Sequence, residues 1–155
     1  MLKIGDKAPQ FCLEGLSADG EEKKICLKDL LAEKKDLILY FYPKDNTPGC
    51  TTEACDFRDR LPHMENGLVV GISKDSLISH KKFREKHNLN FILLSDPEHS
   101  AMEAYGAWGE KNMYGIKTMG CIRSTFIISK DGSINHVWYK VRAKGHANTV
   151  IEVMK

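Results

Sequence analysis

Two short apolar runs, Asp36-Leu37-Ile38-Leu39-Tyr40-Phe41-Tyr42 and Gly67-Leu68-Val69-Val70-Gly71-Ile72-Ser73, constrain the fold of this chain more than any other feature. Neither run alternates with polar residues, which is the pattern of strands covered on both faces. Between them, Thr51 to Met64 reads as a helix interrupted near Pro62. Strand, helix and strand in that order make a parallel unit with a right-handed crossover. Ser76 to His87 predicts an amphipathic helix with Ser76 as N-cap. Phe91 to Leu94 predicts a short strand ended by Ser95-Asp96-Pro97, and Pro97 to Tyr105 a short helix. Ser124 to Ser129 and Ser133 to Trp138 flank Lys130-Asp131-Gly132, a hairpin signal, and Asn148 to Met154 closes as a helix. The order β-α-β-α-β-α-β-β-α predicts an α/β fold: a central mixed sheet flanked by helices on both faces. No repeat or linker divides the 155 residues, so a single domain over 1–155 is expected.

Charge excludes several function classes. The net charge is +2 and the signs are interleaved, which is no footprint for nucleic acid or an anionic membrane. No apolar run approaches the ~20 residues that span a bilayer. Met1 to Phe11 is too polar for a signal peptide and is not Arg-rich, so a cytoplasmic protein is expected. Five cysteines, an odd number, argue against a structural disulfide framework in such a compartment. Cys12 and Cys26 fit no redox spacing and read as packing residues.

The chemistry lies in the loop and helix start after the first covered run, where reactive groups of such sheets gather. Thr47 is a good N-cap and Pro48 suits the first helical position. Cys50 then falls in the first turn, facing free N–H groups and the positive end of the helix dipole, which favour thiolate, the nucleophile. The same N–H groups suit the oxygens of a small peroxide. Cys55 follows five residues on. On one helix the two Cα atoms lie about 8.6 Å apart on nearly opposite sides, beyond the roughly 7 Å that a disulfide spans. If they react, the helix start must unwind; otherwise Cys55 packs in the core, and spacing leaves both readings open. Arg123, opening the run Ser124 to Ser129, is the candidate cation for the thiolate and a developing oxyanion. Glu53, three residues after Cys50 on the same face, either orients that arginine bidentately or simply favours the helix dipole.

Pro43-x-x-x-Thr47-x-x-Cys50 resembles the active-site pattern of peroxiredoxins. Phe41 to Asp45 and Cys50-Thr51-Thr52-Glu53-Ala54-Cys55-Asp56-Phe57-Arg58 are similar to the peroxiredoxin Q, or bacterioferritin comigratory protein, branch. Gly5-Asp6-Lys7-Ala8-Pro9, Trp108 to Gly115 and Arg123 to Phe126 extend the likeness along nearly the whole chain. The resemblance implies a thioredoxin-like fold and reduction of hydrogen peroxide and organic hydroperoxides. It implies a peroxidatic Cys50, a resolving Cys55, Thr47 bonded to the sulfur, Pro43 shielding the site and Arg123 stabilising the charge. It further implies a Cys50–Cys55 disulfide reduced by thioredoxin or a similar dithiol, no cofactor or metal, and a monomer. Cys121 stands where the branch usually has an aliphatic residue and reads as a small buried hydrophobe or, lying near the site, as a partner in a mixed disulfide.

Three rivals remain. A dithiol–disulfide oxidoreductase on the same fold lacks its C-x-x-C here. A metal-binding module lacks histidine or cysteine pairs at ligand spacing. A chaperone or interaction module would leave Cys50 incidental.

Overall fold

The computed structural model describes residues 1–154. Seven strands form one mixed sheet in the order β2-β1-β5-β4-β3-β8-β9. The strands are β1 (Cys12–Leu16), β2 (Glu22–Cys26), β3 (Asp36–Phe41), β4 (Gly67–Ser73), β5 (Ile92–Ser95), β8 (Ser124–Ile128) and β9 (Ile134–Trp138). The central three, β3, β4 and β5, are parallel; the flanking pairs are antiparallel. The mixed sheet expected from the element order is therefore present, and the hairpin around Asp131-Gly132 is the β8–β9 pair.

Side chains of β3 alternate between two cores. Leu37, Leu39 and Phe41 face one, with α1 (Leu27–Leu31) and α4 (Ser100–Ala104). Ile38 and Tyr40 face the other, with α2 (Pro48–Arg60), α3 (Leu77–His87) and α5 (His146–Met154). Burial on both faces explains why β3 and β4 carry no polar alternation. Gly71 lies directly opposite Tyr40, and a Cβ there would come within 2.9 Å of its ring. The glycine lets the aromatic ring lie across β4.

Helix boundaries follow local chemistry. Pro48 opens α2 behind Thr47. The helix stops at Arg60, and Leu61–His63 continues as a 3₁₀ turn carrying Pro62, whose missing N–H cannot continue the ladder. The helix read as running to Met64 therefore ends a turn earlier. Ser76 caps α3 by accepting from the Ser79 N–H at 3.2 Å. The segment Pro97–Tyr105 is helical only from Ser100 to Ala104, and α5 begins two residues earlier than Asn148.

Two regions were not legible as structure in the sequence. The first is β1, β2 and α1. The second is a separate two-stranded ribbon, β6 (Trp108–Met113) with β7 (Ile116–Cys121), turned by Tyr114 and Gly115 at φ 53° and 80°. The first also brings a correction. Cys12 and Cys26 are not packing residues: they are direct partners across the β1–β2 ladder and form a disulfide. Cys12 is exposed and Cys26 half-buried. A sequence separation of 14 hid the pairing, because only the strand register brings the two together. No helix among the described residues is long and apolar enough to cross a membrane.

Candidate active site

The loop after β3 is fixed by buried polar groups. Tyr42 extends the ladder by donating its N–H to Ile72 O, and Pro43, half-buried, ends it by lacking an N–H. Asp45 then ties the loop down. Its Oδ1 accepts from the Tyr42 hydroxyl at 2.6 Å; its Oδ2 accepts from His80 Nδ1 at 2.7 Å and Ser79 Oγ at 2.9 Å. Its own N–H donates to Asp75 at 2.8 Å, and His80 Nε2 donates to Leu94 O. Asp45, Asp75 and His80 cluster like metal ligands, but Asp45 and Asp75 already accept from these protein donors and from Ser73 Oγ. Their work in this structure is to hold the loop against α3 and β5.

With the loop held, α2 presents Cys50 in its first turn, 1% exposed, against the core of Tyr40, Tyr42 and Phe57. Arg123, immediately before β8, reaches across. Its Nη2 donates to Cys50 Sγ at 3.2 Å and its Nη1 to Glu53 Oε1 at 2.6 Å. Gly49 leaves room for this approach, since a Cβ there would sit a tight 3.3 Å from Nη2. The sequence-derived trio of Cys50, Glu53 and Arg123 is thus assembled. The bidentate grip on Glu53 is not formed. The guanidinium fork is divided between carboxylate and sulfur, and among the described residues none donates to Glu53 Oε2.

Thr47 occupies the N-cap with extended φ and ψ, as its residue type favours, but its side chain does not cap the helix. Its hydroxyl donates back to Lys44 O at 2.8 Å, so its one proton points away from Cys50 here. Cys55 is a free, half-buried thiol on the same unbroken helix as Cys50. Cys121 is a free thiol buried opposite Trp108, and burial pushes it up to about 12, so it stays protonated near neutral pH. It behaves as the buried hydrophobe the sequence suggested.

Electrostatically the site is a cation between two groups of opposite need. Burial pushes the Glu53 carboxyl up to about 7, while Arg123 pulls the other way. Behind Arg123, His146 Nε2 meets Thr125 Oγ1 at 2.7 Å. Burial and then Arg123 push that imidazole down to about 4. Sequence reasoning gave no role to His146, Asp45, Asp75 and His80, because their hydrogen bonds join separate elements, and on α3 and α5 the two histidines sit on buried faces where they read as core.

Comparison with known proteins places this geometry in a lineage. The AhpC/TSA family model matches residues 4–137. A Helicobacter pylori chain bearing the peroxiredoxin bcp name is 49% identical, covering 97% of both chains. Peroxiredoxin Bcp of Bacillus subtilis is 46% identical over 99% of this chain and 96% of its own. Among solved structures, the bacterioferritin comigratory protein of Xanthomonas campestris, known for alkyl peroxide reduction, superposes with a TM-score of 0.81 at 36% identity, covering 93% and 89% of the two chains. A PrxQ mutant of Xylella fastidiosa gives 0.85 at 34% identity, covering 99% and 96%. A family model over residues 4–137 and identities of 46–49% over nearly the full length settle the lineage: the chain belongs to the AhpC/TSA family and is a peroxiredoxin of the Bcp/PrxQ kind.

Proposed function

We propose that Cys50 is the peroxidatic cysteine and Cys55 its resolving partner, with Arg123, Thr47 and Pro43 completing the site and Glu53 supporting Arg123. The observation that carries the reading is the shared guanidinium, one nitrogen on the Cys50 sulfur and the other on Glu53. A cation so placed stabilises the attacking thiolate and the oxygen that leaves. The Cys50 thiolate attacks the terminal oxygen of hydrogen peroxide or an organic hydroperoxide. The O–O bond breaks, water or an alcohol leaves, and Cys50 becomes a sulfenic acid.

Burial of Cys50 supports the need for a resolver, because a bulky thiol has little access to a residue that is 1% exposed. Unwinding the first turns of α2 brings Cys50 out of the core and toward Cys55. Cys55 displaces water from the sulfenic acid and a disulfide forms. The unwinding gives up a few helical hydrogen bonds of about 1 kcal/mol each, such as Thr51 N–H to Thr47 O. Thioredoxin or a similar dithiol then restores both thiols. In this reading the chain works as one cytoplasmic, monomeric domain without metal or cofactor.

The test is peroxide consumption under excess dithiothreitol by wild type, Cys50→Ser and Cys12→Ser. Turnover lost only in Cys50→Ser supports the assignment. Full turnover in Cys50→Ser would remove it and direct attention to the dithiol–disulfide oxidoreductase alternative, which an insulin-reduction assay detects.

A further inference from the structure

The proposed reaction leaves one pair of sulfurs unused. We propose that Cys12–Cys26 is a second thiol–disulfide exchange site on this chain, taking dithiol reductants by attack at Cys12 and working apart from Cys50.

Its place in the sheet carries the argument. Leu94 of β5 lies opposite Gly15 of β1, and Ile72 of β4 lies opposite both Leu94 and Phe41 of β3. Counting past those levels, Cys12 projects beyond the carboxyl ends of the parallel strands, the same edge that carries the loop to Cys50. The separation along that edge is three strand spacings, about 14 Å. With α2 folded, that is too far for sulfur to meet sulfur within one chain.

Accessibility divides the pair into attack point and leaving group. Cys12 is exposed and borders a groove of about 620 Å³, which Lys24, Lys74, Ser76 and Glu98 also line. Cys26 is half-buried where β2 passes into α1, its N–H donating to Asp29 Oδ2 at 3.0 Å. An incoming thiolate reaches the Cys12 sulfur first. The two Cα atoms stand 4.0 Å apart in a five-residue ladder, so the thiols stay adjacent after reduction and can close again. The β1–β2 ladder pairs five residues on each strand and neither cysteine belongs to the hydrophobic core, so reduction should not require unfolding.

A donor thiolate attacks Cys12 Sγ, the Cys12–Cys26 bond breaks, and Cys26 leaves as thiolate and takes a proton. The donor's second thiol attacks the donor sulfur of the mixed disulfide and releases Cys12. Two electrons and two protons pass from the dithiol to the chain, and the donor becomes a disulfide.

The test uses the full chain, equilibrated in graded mixtures of reduced and oxidised dithiothreitol. Thiols are trapped by differential alkylation and read by peptide mass, with circular dichroism recorded alongside. The expected result is conversion of Cys12–Cys26 to two thiols with the fold retained, at the same midpoint in wild type and Cys50→Ser. In Cys26→Ser, Cys12 should form a mixed disulfide with oxidised glutathione at least tenfold faster than Cys26 does in Cys12→Ser; equal rates would overturn the order of attack. A disulfide that resists the buffers until denaturant is added, or two thiols that never close in oxidised buffer, would overturn the proposal. If either variant fails to fold, the wild-type titration decides. Reduction by thioredoxin with its reductase and NADPH marks a protein donor and reduction by dithiothreitol alone a small one; both support exchange at this site. Peroxide turnover is measured separately, so its loss in the wild type would remove the peroxidase assignment and leave this titration intact.

Discussion

Arg123 is the residue on which the candidate site turns, because it donates to both Cys50 and Glu53. Arg123→Ala should slow the reaction of Cys50 with peroxide by about 10²-fold, the loss typical of removing a preorganised donor from developing charge. It should also slow iodoacetamide alkylation of Cys50 at pH 7; unchanged alkylation would separate the arginine from the nucleophile. Gly49→Ala should produce a milder form of the same defect, since its Cβ would stand 3.3 Å from Nη2. Stopped-flow peroxide reduction with unchanged circular dichroism would show it. Cys121→Ala should leave turnover unchanged. At this scale the sequence was informative. Thr47-Pro48 gave the helix start, so Cys50 fell in its first turn, and the i+3 spacing put Glu53 on the same face. The divided guanidinium was not legible, because how an arginine shares its fork depends on where β8 meets α2. The Thr47 hydroxyl was not legible either, because a capping residue can turn its side chain to a nearby carbonyl as easily as to the helix.

Among elements, α2 carries the mechanism. Cys50 and Cys55 sit on one continuous helix, so a disulfide between them requires the helix start to open. Hydrogen exchange should therefore show the amides of Thr51 to Ala54 protected in the reduced protein and exposed after one equivalent of peroxide. Protection that survives oxidation would mean that Cys55 is not the resolver. The β1–β2 hairpin behaves differently, since its disulfide clips an existing ladder. Closing a loop of this length is worth about 3 kcal/mol. Cys12→Ser should accordingly lower the melting temperature by several degrees without affecting peroxide turnover. This hairpin and the β6–β7 ribbon escaped the sequence reading for a shared reason. Both are largely exposed, with polar residues such as Glu22, Lys23 and Lys24 or Glu110 and Lys111, so neither shows the hydrophobic alternation that marks a strand. The covered strands β3 and β4 had no such ambiguity.

Across the whole molecule, two buried groups beside Arg123 tilt the stability against pH in opposite directions. Glu53 ionises near 4.5 in the unfolded chain and near 7 in the fold, so over that range the folded state holds more protons and stability falls as pH rises. His146 takes its proton near 6.5 when unfolded and near 4 when folded, so over that range stability falls as pH drops. The two slopes oppose each other between about 4.5 and 6.5. Denaturant titrations of Glu53→Gln should lose the decline toward pH 7, and those of His146→Gln the decline toward pH 4; identical curves for wild type and both variants would contradict these environments. The most direct measurement of the central claim is disulfide mapping by peptide mass after fully reduced protein meets one equivalent of hydrogen peroxide. The predicted result is a chain two hydrogens lighter with a Cys50–Cys55 linkage, absent in Cys55→Ser, where Cys50 accumulates as sulfenic or more oxidised acid. A Cys50–Cys121 linkage, or a Cys12–Cys26 linkage formed while Cys50 stays a thiol, would contradict it.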